Sequence, residues 1–237
     1  MYDPRQHLIV ALDVSSAAAA RKIVAAVGDS ALIYKVGMQL FTAEGPEVVR
    51  DLVASGRRVF LDLKYHDIPT TVAAAVREAA KLGVGMLTVH ASGGGKMLRA
   101  AIDAARSVDP ALIVLGVTVL TSMDDQDLDQ VGVRESVVHQ VLRLAALAIT
   151  NGCQGVVASA LEASALRTEL GNRFLIVTPG VRPSGKDHGD QTRVVTPSEA
   201  IAAGSTYIVV GRPITAAPNP ADEVRSILEQ MSLAVSA

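Results

Sequence analysis

The chain has 237 residues, 49% of them hydrophobic and 19% charged, which suits one globular domain with a large core and excludes a disordered chain. A formal net charge of -2 and a pI near 6.2 leave no basic footprint for nucleic acid or an anionic membrane, so a small anionic ligand would need a local basic site. The single Cys153 excludes an internal disulfide framework and a multi-cysteine zinc site; with no signal-peptide core and no membrane-length apolar run, a cytoplasmic protein is expected.

The first predicted strand covers 7–14 and carries Asp13 near its carboxyl end, after which Ser15 or Ser16 caps an alanine-rich helix. The second strand, 31–37, holds Lys35 late in its course, and Pro46 then opens a helix that Gly56 ends. Strand three, 58–64, runs into Leu61-Asp62-Leu63-Lys64-Tyr65-His66-Asp67-Ile68-Pro69-Thr70-Thr71. Because side chains alternate along a strand, Asp62 and Lys64 are predicted on one face, with Leu61 and Leu63 on the other. Asp67 falls past the strand, where Pro69 restricts Ile68 and suits the first turn of a helix over 69–82. An isolated Asp-x-Lys reads most simply as an ion pair. Burying such pairs is costly, however, and two acids and two bases at one rim point to a functional site.

Strand four, 85–91, is followed by three glycines at 93–95 that lack the dinucleotide fingerprint and read as a tight turn before a helix over 96–106. His90, and His66 beside the charged cluster, are open to two readings, catalytic or supporting. Strand five, 111–120, is almost wholly apolar, as a parallel strand covered on both faces requires, and Thr121 follows it. The acidic stretch 124–130 reads as a solvated start to the helix 135–150. Strands at 155–159, 174–178 and 206–211, with helices over 161–170 and 220–231, complete the series. Eight strands alternating with helices define a single-domain (β/α)8 TIM barrel over 1–237, ahead of a doubly wound sheet.

In such a barrel the active site lies at the carboxyl ends of the strands, where Asp13, Lys35, Asp62, Lys64, His90 and Thr121 are expected. Two late loops suit phosphate: Pro179-Gly180-Val181-Arg182-Pro183-Ser184-Gly185, leading on to Gly189-Asp190-Gln191, and Gly211-Arg212-Pro213 after strand eight. The segment 183–189 reads as a mobile lid or an ordinary surface loop. His7, His139 and His188 share no metal-ligand spacing with acids or the cysteine, so no metal is assigned.

The stretch from Leu61 to Thr71 resembles the signature of the orotidine 5'-monophosphate decarboxylase family, and the likeness extends over nearly the whole chain. It runs through Leu12-Asp13, Lys35-Val36-Gly37, Val89-His90-Ala91-Ser92-Gly93-Gly94, Val119-Leu120-Thr121-Ser122-Met123, Thr178-Pro179-Gly180-Val181-Arg182-Pro183, Gly189-Asp190-Gln191 and Val210-Gly211-Arg212-Pro213. The resemblance implies decarboxylation of orotidine 5'-monophosphate to uridine 5'-monophosphate, without a cofactor, by a homodimer whose two sites are shared between subunits. It also implies roles. Lys35, Asp62 and Lys64 would form a charged array completed by Asp67 of the second copy, with Lys64 as proton donor. Asp13 and the second copy's Thr71 would hold the ribose, Thr121 or Ser122 would contact the pyrimidine, and Arg212, Gly211, Gln191 and Arg182 would bind the phosphate. Two competitors remain: a magnesium-dependent decarboxylase of a keto sugar acid phosphate built on the same Asp-x-Lys-x-x-Asp core, and a catalytically silent phosphate-binding barrel. The segments 68–71 and 180–183 favour the pyrimidine enzyme over the first, and the intact charged array disfavours the second.

Overall fold

A computed structural model describes residues 2–183 and 195–236. In chain order it contains β1 (Leu8–Ala11), α1 (Ala17–Val27), β2 (Ile33–Gly37), α2 (Met38–Glu44), α3 (Glu47–Ala54), β3 (Arg58–Tyr65), α4 (Pro69–Ala80), β4 (Met86–His90), α5 (Gly94–Arg106) and β5 (Ile113–Val117). There follow α6 (Asp125–Gln130), α7 (Val137–Thr150), β6 (Gly155–Val157), α8 (Ala160–Leu170), β7 (Leu175–Thr178), α9 (Pro197–Ala202), β8 (Tyr207–Val210), α10 (Arg212–Thr215) and α11 (Pro220–Ser236). Each strand pairs in parallel with the next, and β1 pairs with β8, so the sheet closes and no edge remains. The expected (β/α)8 barrel is the observed fold.

Closure buries both faces of every strand, and the two-residue period sorts the side chains between them. Ile9, Ile33, Phe60, Met86, Leu115 and Val177 share the lumen cluster. Their neighbours Leu8, Val10, Tyr34, Val36, Leu61 and Leu87 pack outward among the helices. Each such apolar side chain taken fully from water contributes roughly 1.5–3 kcal/mol. No helix among the described residues is long and apolar enough to cross a membrane.

Several elements depart from expectation. Strand five ends at Val117 instead of running to Leu120: Val119, buried, and Leu120, exposed, line the barrel mouth beyond the ladder. The acidic stretch is a helix of its own, α6, separate from α7. Asp124 accepts hydrogen bonds from the N–H groups of Gln126 and Asp127, and the Asp127 carboxylate accepts one from the Asp124 N–H in return. α2, α9 and α10 were not predicted. α9 carries a legible signal all the same, since Thr196-Pro197-Ser198-Glu199 is a capping box with proline in the first turn.

Cys153, 5% exposed after α7, has its thiol pushed up to about 12 by burial, which penalises the thiolate. At pH 8 Ellman's reagent should therefore leave the folded protein unlabelled and react with one thiol per chain once guanidinium unfolds it. Labelling at the rate of a free thiol before unfolding would contradict this burial.

Candidate active site

The lumen series continue upward into charge. Two residues beyond lumen residues Ala11, Ile33 and Phe60 stand Asp13, Lys35 and Asp62, and the ladder sets Ala11 beside Lys35, Lys35 beside Phe60 and Gly37 beside Asp62. At the carboxyl end the side chains join in one line. Lys35 Nζ lies 2.7 Å from Asp13 Oδ1 and 3.9 Å from Asp62 Oδ2, while Lys64 Nζ lies 2.9 Å from the same Asp62 oxygen. The side chains of Lys35, Asp62 and Lys64 are 10%, 13% and 24% exposed, against 54% for Asp13. The alternating order, acid, base, acid, base, gives each partly desolvated ion an opposite neighbour.

Lys64 reaches this line by a different route from the one predicted. Regular alternation would suffice to put it beside Asp62, but its φ is +53°, the left-handed region, and it alone among the described non-glycine residues has a positive φ. The β3–β4 ladder jumps there from Leu61 opposite Leu87 to Tyr65 opposite Val89, four residues against two. Left-handed backbone costs a side-chain-bearing residue roughly 1–2 kcal/mol. Its amide is not abandoned: Lys64 N–H donates to Thr88 Oγ1 at 2.9 Å, and the Thr88 hydroxyl donates to Asp62 Oδ1 at 3.0 Å. Thr88, on the lumen side of β4 and fully buried, was missed in the sequence because a threonine inside a strand is unremarkable until its partners are known.

Two adjoining cavities open on the array. One, of about 430 Å³, is lined by Asp13, Lys35, Asp62, Gly180, Arg182, Gly211 and Arg212. The other, of about 150 Å³, has Lys35, Asp62, Lys64 and Thr121 set against apolar walls that include Phe60, Val119 and Val157. Together their described linings hold four cations, Lys35, Lys64, Arg182 and Arg212, against two carboxylates, Asp13 and Asp62, a formal +2 in a chain of net -2. That is the local basic site an anion needs. Arg182 is 7% exposed, and its backbone N–H donates to Val195 O at 2.9 Å, tying the loop after β7 to the start of the α9 segment. Gly211 follows β8, and Arg212 opens α10.

Most of the other candidates described fall outside these cavities. Asp67 and Thr71 are exposed at the start of α4 and line neither cavity; the Asp67 carboxylate accepts the Ile68 N–H at 2.6 Å. Gln191 lies outside the described residues. Thr121 lines the smaller cavity, whereas Ser122 is exposed and does not. His90 is half-buried, its ring 5.3 Å from that of His66, and it lines neither cavity. Burial, then the neighbouring His66 and Lys64, hold its pKa below the usual histidine value, so the imidazole is neutral at pH 7.

A closed parallel barrel with an acid–base array and a basic mouth at the carboxyl ends of its strands is the arrangement of a barrel enzyme acting on a small anionic substrate. The chain belongs to the orotidine 5'-phosphate decarboxylase / HUMPS family, whose pattern residues 6–227 match. It is 49% identical to the orotidine 5'-phosphate decarboxylase of Moorella thermoacetica over 97% of this chain and 93% of that protein. It is 51% identical to that of Aliivibrio fischeri over 94% and 95%. The crystal structure of orotidine 5'-phosphate decarboxylase from Lactobacillus acidophilus superposes with a TM-score of 0.85 at 39% identity, covering 95% of this chain and 98% of that one.

Gly37 is a residue whose size matters to the array. A Cβ there would stand 2.8 Å from Lys35 Nζ and 3.1 Å from Asp13 Oδ1. Since the obstructed atom is the tip of a flexible chain, Gly37→Ala should leave the thermal unfolding midpoint close to that of the parent but lower activity about 100-fold by displacing the ammonium. Undiminished activity would show that Lys35 need not sit where this glycine lets it.

Proposed function

We propose that the chain decarboxylates orotidine 5'-monophosphate to uridine 5'-monophosphate and carbon dioxide, the last step of de novo pyrimidine nucleotide synthesis, with no cofactor and in the cytoplasm. The observation that carries this reading is the Asp13, Lys35, Asp62, Lys64 line opening onto a basic mouth. Family membership supports it.

In this reading the bond from C6 to the carboxylate breaks, carbon dioxide leaves, and the electron pair stays on C6, where no adjacent carbonyl delocalises it. Stabilisation must then be electrostatic. The Lys64 ammonium, held beside C6 in a site with little water, favours the developing charge far more than it would in bulk solvent. Lys64 then transfers its proton to C6, completing the C–H bond. Asp62 orients both lysines through the contacts already described, and Lys35 links it to Asp13. Thr121 contacts the pyrimidine in the smaller cavity.

The phosphate is assigned to Arg212, the Gly211 backbone, Arg182 and Gln191, far from the reacting carbon. Binding there would let remote contacts support the transition state at the ring; from Ser184 on, the segment read as a lid lies outside the described residues. Asp67 and Thr71 are assigned to the site of a second copy, Asp67 completing the charged array and Thr71 joining Asp13 at the ribose. Their exposure away from their own chain's cavities supports that sharing within a homodimer.

Chelator-treated protein incubated with orotidine 5'-monophosphate, followed by ultraviolet absorbance and chromatography, should yield uridine 5'-monophosphate. Absence of product from folded protein, with turnover instead of a keto sugar acid phosphate on adding magnesium, would replace this reading with its nearest competitor. Lys64→Ala should abolish turnover while nucleotide binding stays within about 10-fold; weakened binding at unchanged kcat would remove Lys64 from the proton-donor role. For the shared site, inactive Asp62→Ala and Asp67→Ala chains should partly rescue each other on mixing, because one of the two hybrid sites regains both aspartates. Mixed dimers without activity would argue against it.

A further inference from the structure

We propose that Thr88 is a positioning residue for the reaction, one hydroxyl that both orients the Asp62 carboxylate and holds Lys64 in its left-handed backbone. The inference rests on the decarboxylase reading for its kinetic consequence and on geometry alone for its structural one.

Thr88 stands one step above Met86 on the lumen side of β4, with no exposed surface, and its ladder partner on β5 is Leu115. Buried there, a hydroxyl left without partners would destabilise the fold. This one finds two, and both belong to the array. As acceptor it takes the Lys64 N–H at 2.9 Å, the amide that the irregularity between Leu61 and Tyr65 removes from regular pairing. As donor it binds Asp62 Oδ1 at 3.0 Å, while Asp62 Oδ2 takes Lys64 Nζ at 2.9 Å.

Each carboxylate oxygen of Asp62 thus has its own partner, so the carboxylate plane cannot turn without breaking a bond. The hydroxyl also closes a ring from Lys64 backbone through Thr88 to Asp62 and back to the Lys64 ammonium. Donor and acceptor are both required: a side chain that only donates, or only accepts, would leave one end of that ring open. Thr88 lines neither cavity, so it acts through Asp62 and Lys64 and not on the substrate. A group of this kind changes the placing of the reacting ammonium without changing the surface that recognises the nucleotide.

The test compares Thr88→Val, Thr88→Ala and Thr88→Ser with the parent protein. Valine keeps the shape and loses both hydrogen bonds; alanine also loses both, without risk of crowding, if valine fails to fold; serine keeps the hydroxyl. The expected result is kcat for orotidine 5'-monophosphate lowered roughly 10- to 100-fold in the valine and alanine proteins, KM within about 3-fold, and serine close to the parent. Either folded variant without the hydroxyl turning over at the parental rate overturns the proposal, as does a rise in KM with kcat unchanged. So does a serine protein as slow as alanine. Crystal structures of the same variants give a readout independent of activity: Lys64 should leave the left-handed region or the Asp62 carboxylate should rotate, and an unaltered array would overturn the proposal. An inactive parent protein would defeat the decarboxylase reading alone, since that structural comparison still decides the role of Thr88.

Discussion

The molecule depends on one constraint: a parallel sheet closed on itself has two buried faces, and every strand residue belongs to one or the other. Through the middle of the lumen the answer is apolar, Phe60 beside Met86 beside Ile113, in a cluster separate from the one among the helices. One layer higher, the same parity delivers Lys35, Asp62 and Thr88. Charges can occupy lumen positions only where water or a ligand reaches them. The array therefore sits at the mouth, and its position follows from the core beneath it.

Placing ions at such a boundary makes their order matter. Asp62 between two lysines, and Lys35 between two aspartates, leaves no like charges adjacent along the line. The excess positive charge lies beyond it, in Arg182 from the loop after β7 and Arg212 at the start of α10, so the mouth is cationic although the chain is slightly acidic. The smaller cavity continues from the array into apolar wall, which divides the mouth into a part lined by arginines and a part lined by apolar side chains.

Much of this was legible beforehand, and for physical reasons. Strand positions followed from near-continuous Val, Ile and Leu runs, and strand-end positions for Asp13, Lys35 and Asp62 followed from where those runs stop. The misses have causes as definite. α2 follows β2 directly with no separating turn signal, and α10 is too short to show a period. Strand five was overextended because hydrophobicity reports burial and cannot distinguish ladder pairing from a loop that lines a cavity. The bulge at Lys64 lay beyond any pattern, since a lysine carries no mark of positive φ in its sequence.

By itself the sequence determined the barrel, the identity of the charged residues and their arrival at one rim, because these depend on local periodicity and on where apolar runs end. Tertiary structure decided the rest. Which residues meet across strands is set by register, and register brought Thr88 under Asp62 and Gly37 beside it. Folding around that contact also turned Lys64 out of regular strand geometry, a cost repaid by a hydroxyl 24 residues further along the chain. Local residue preferences cannot foresee such a trade, for both partners must be in place before either conformation is favourable.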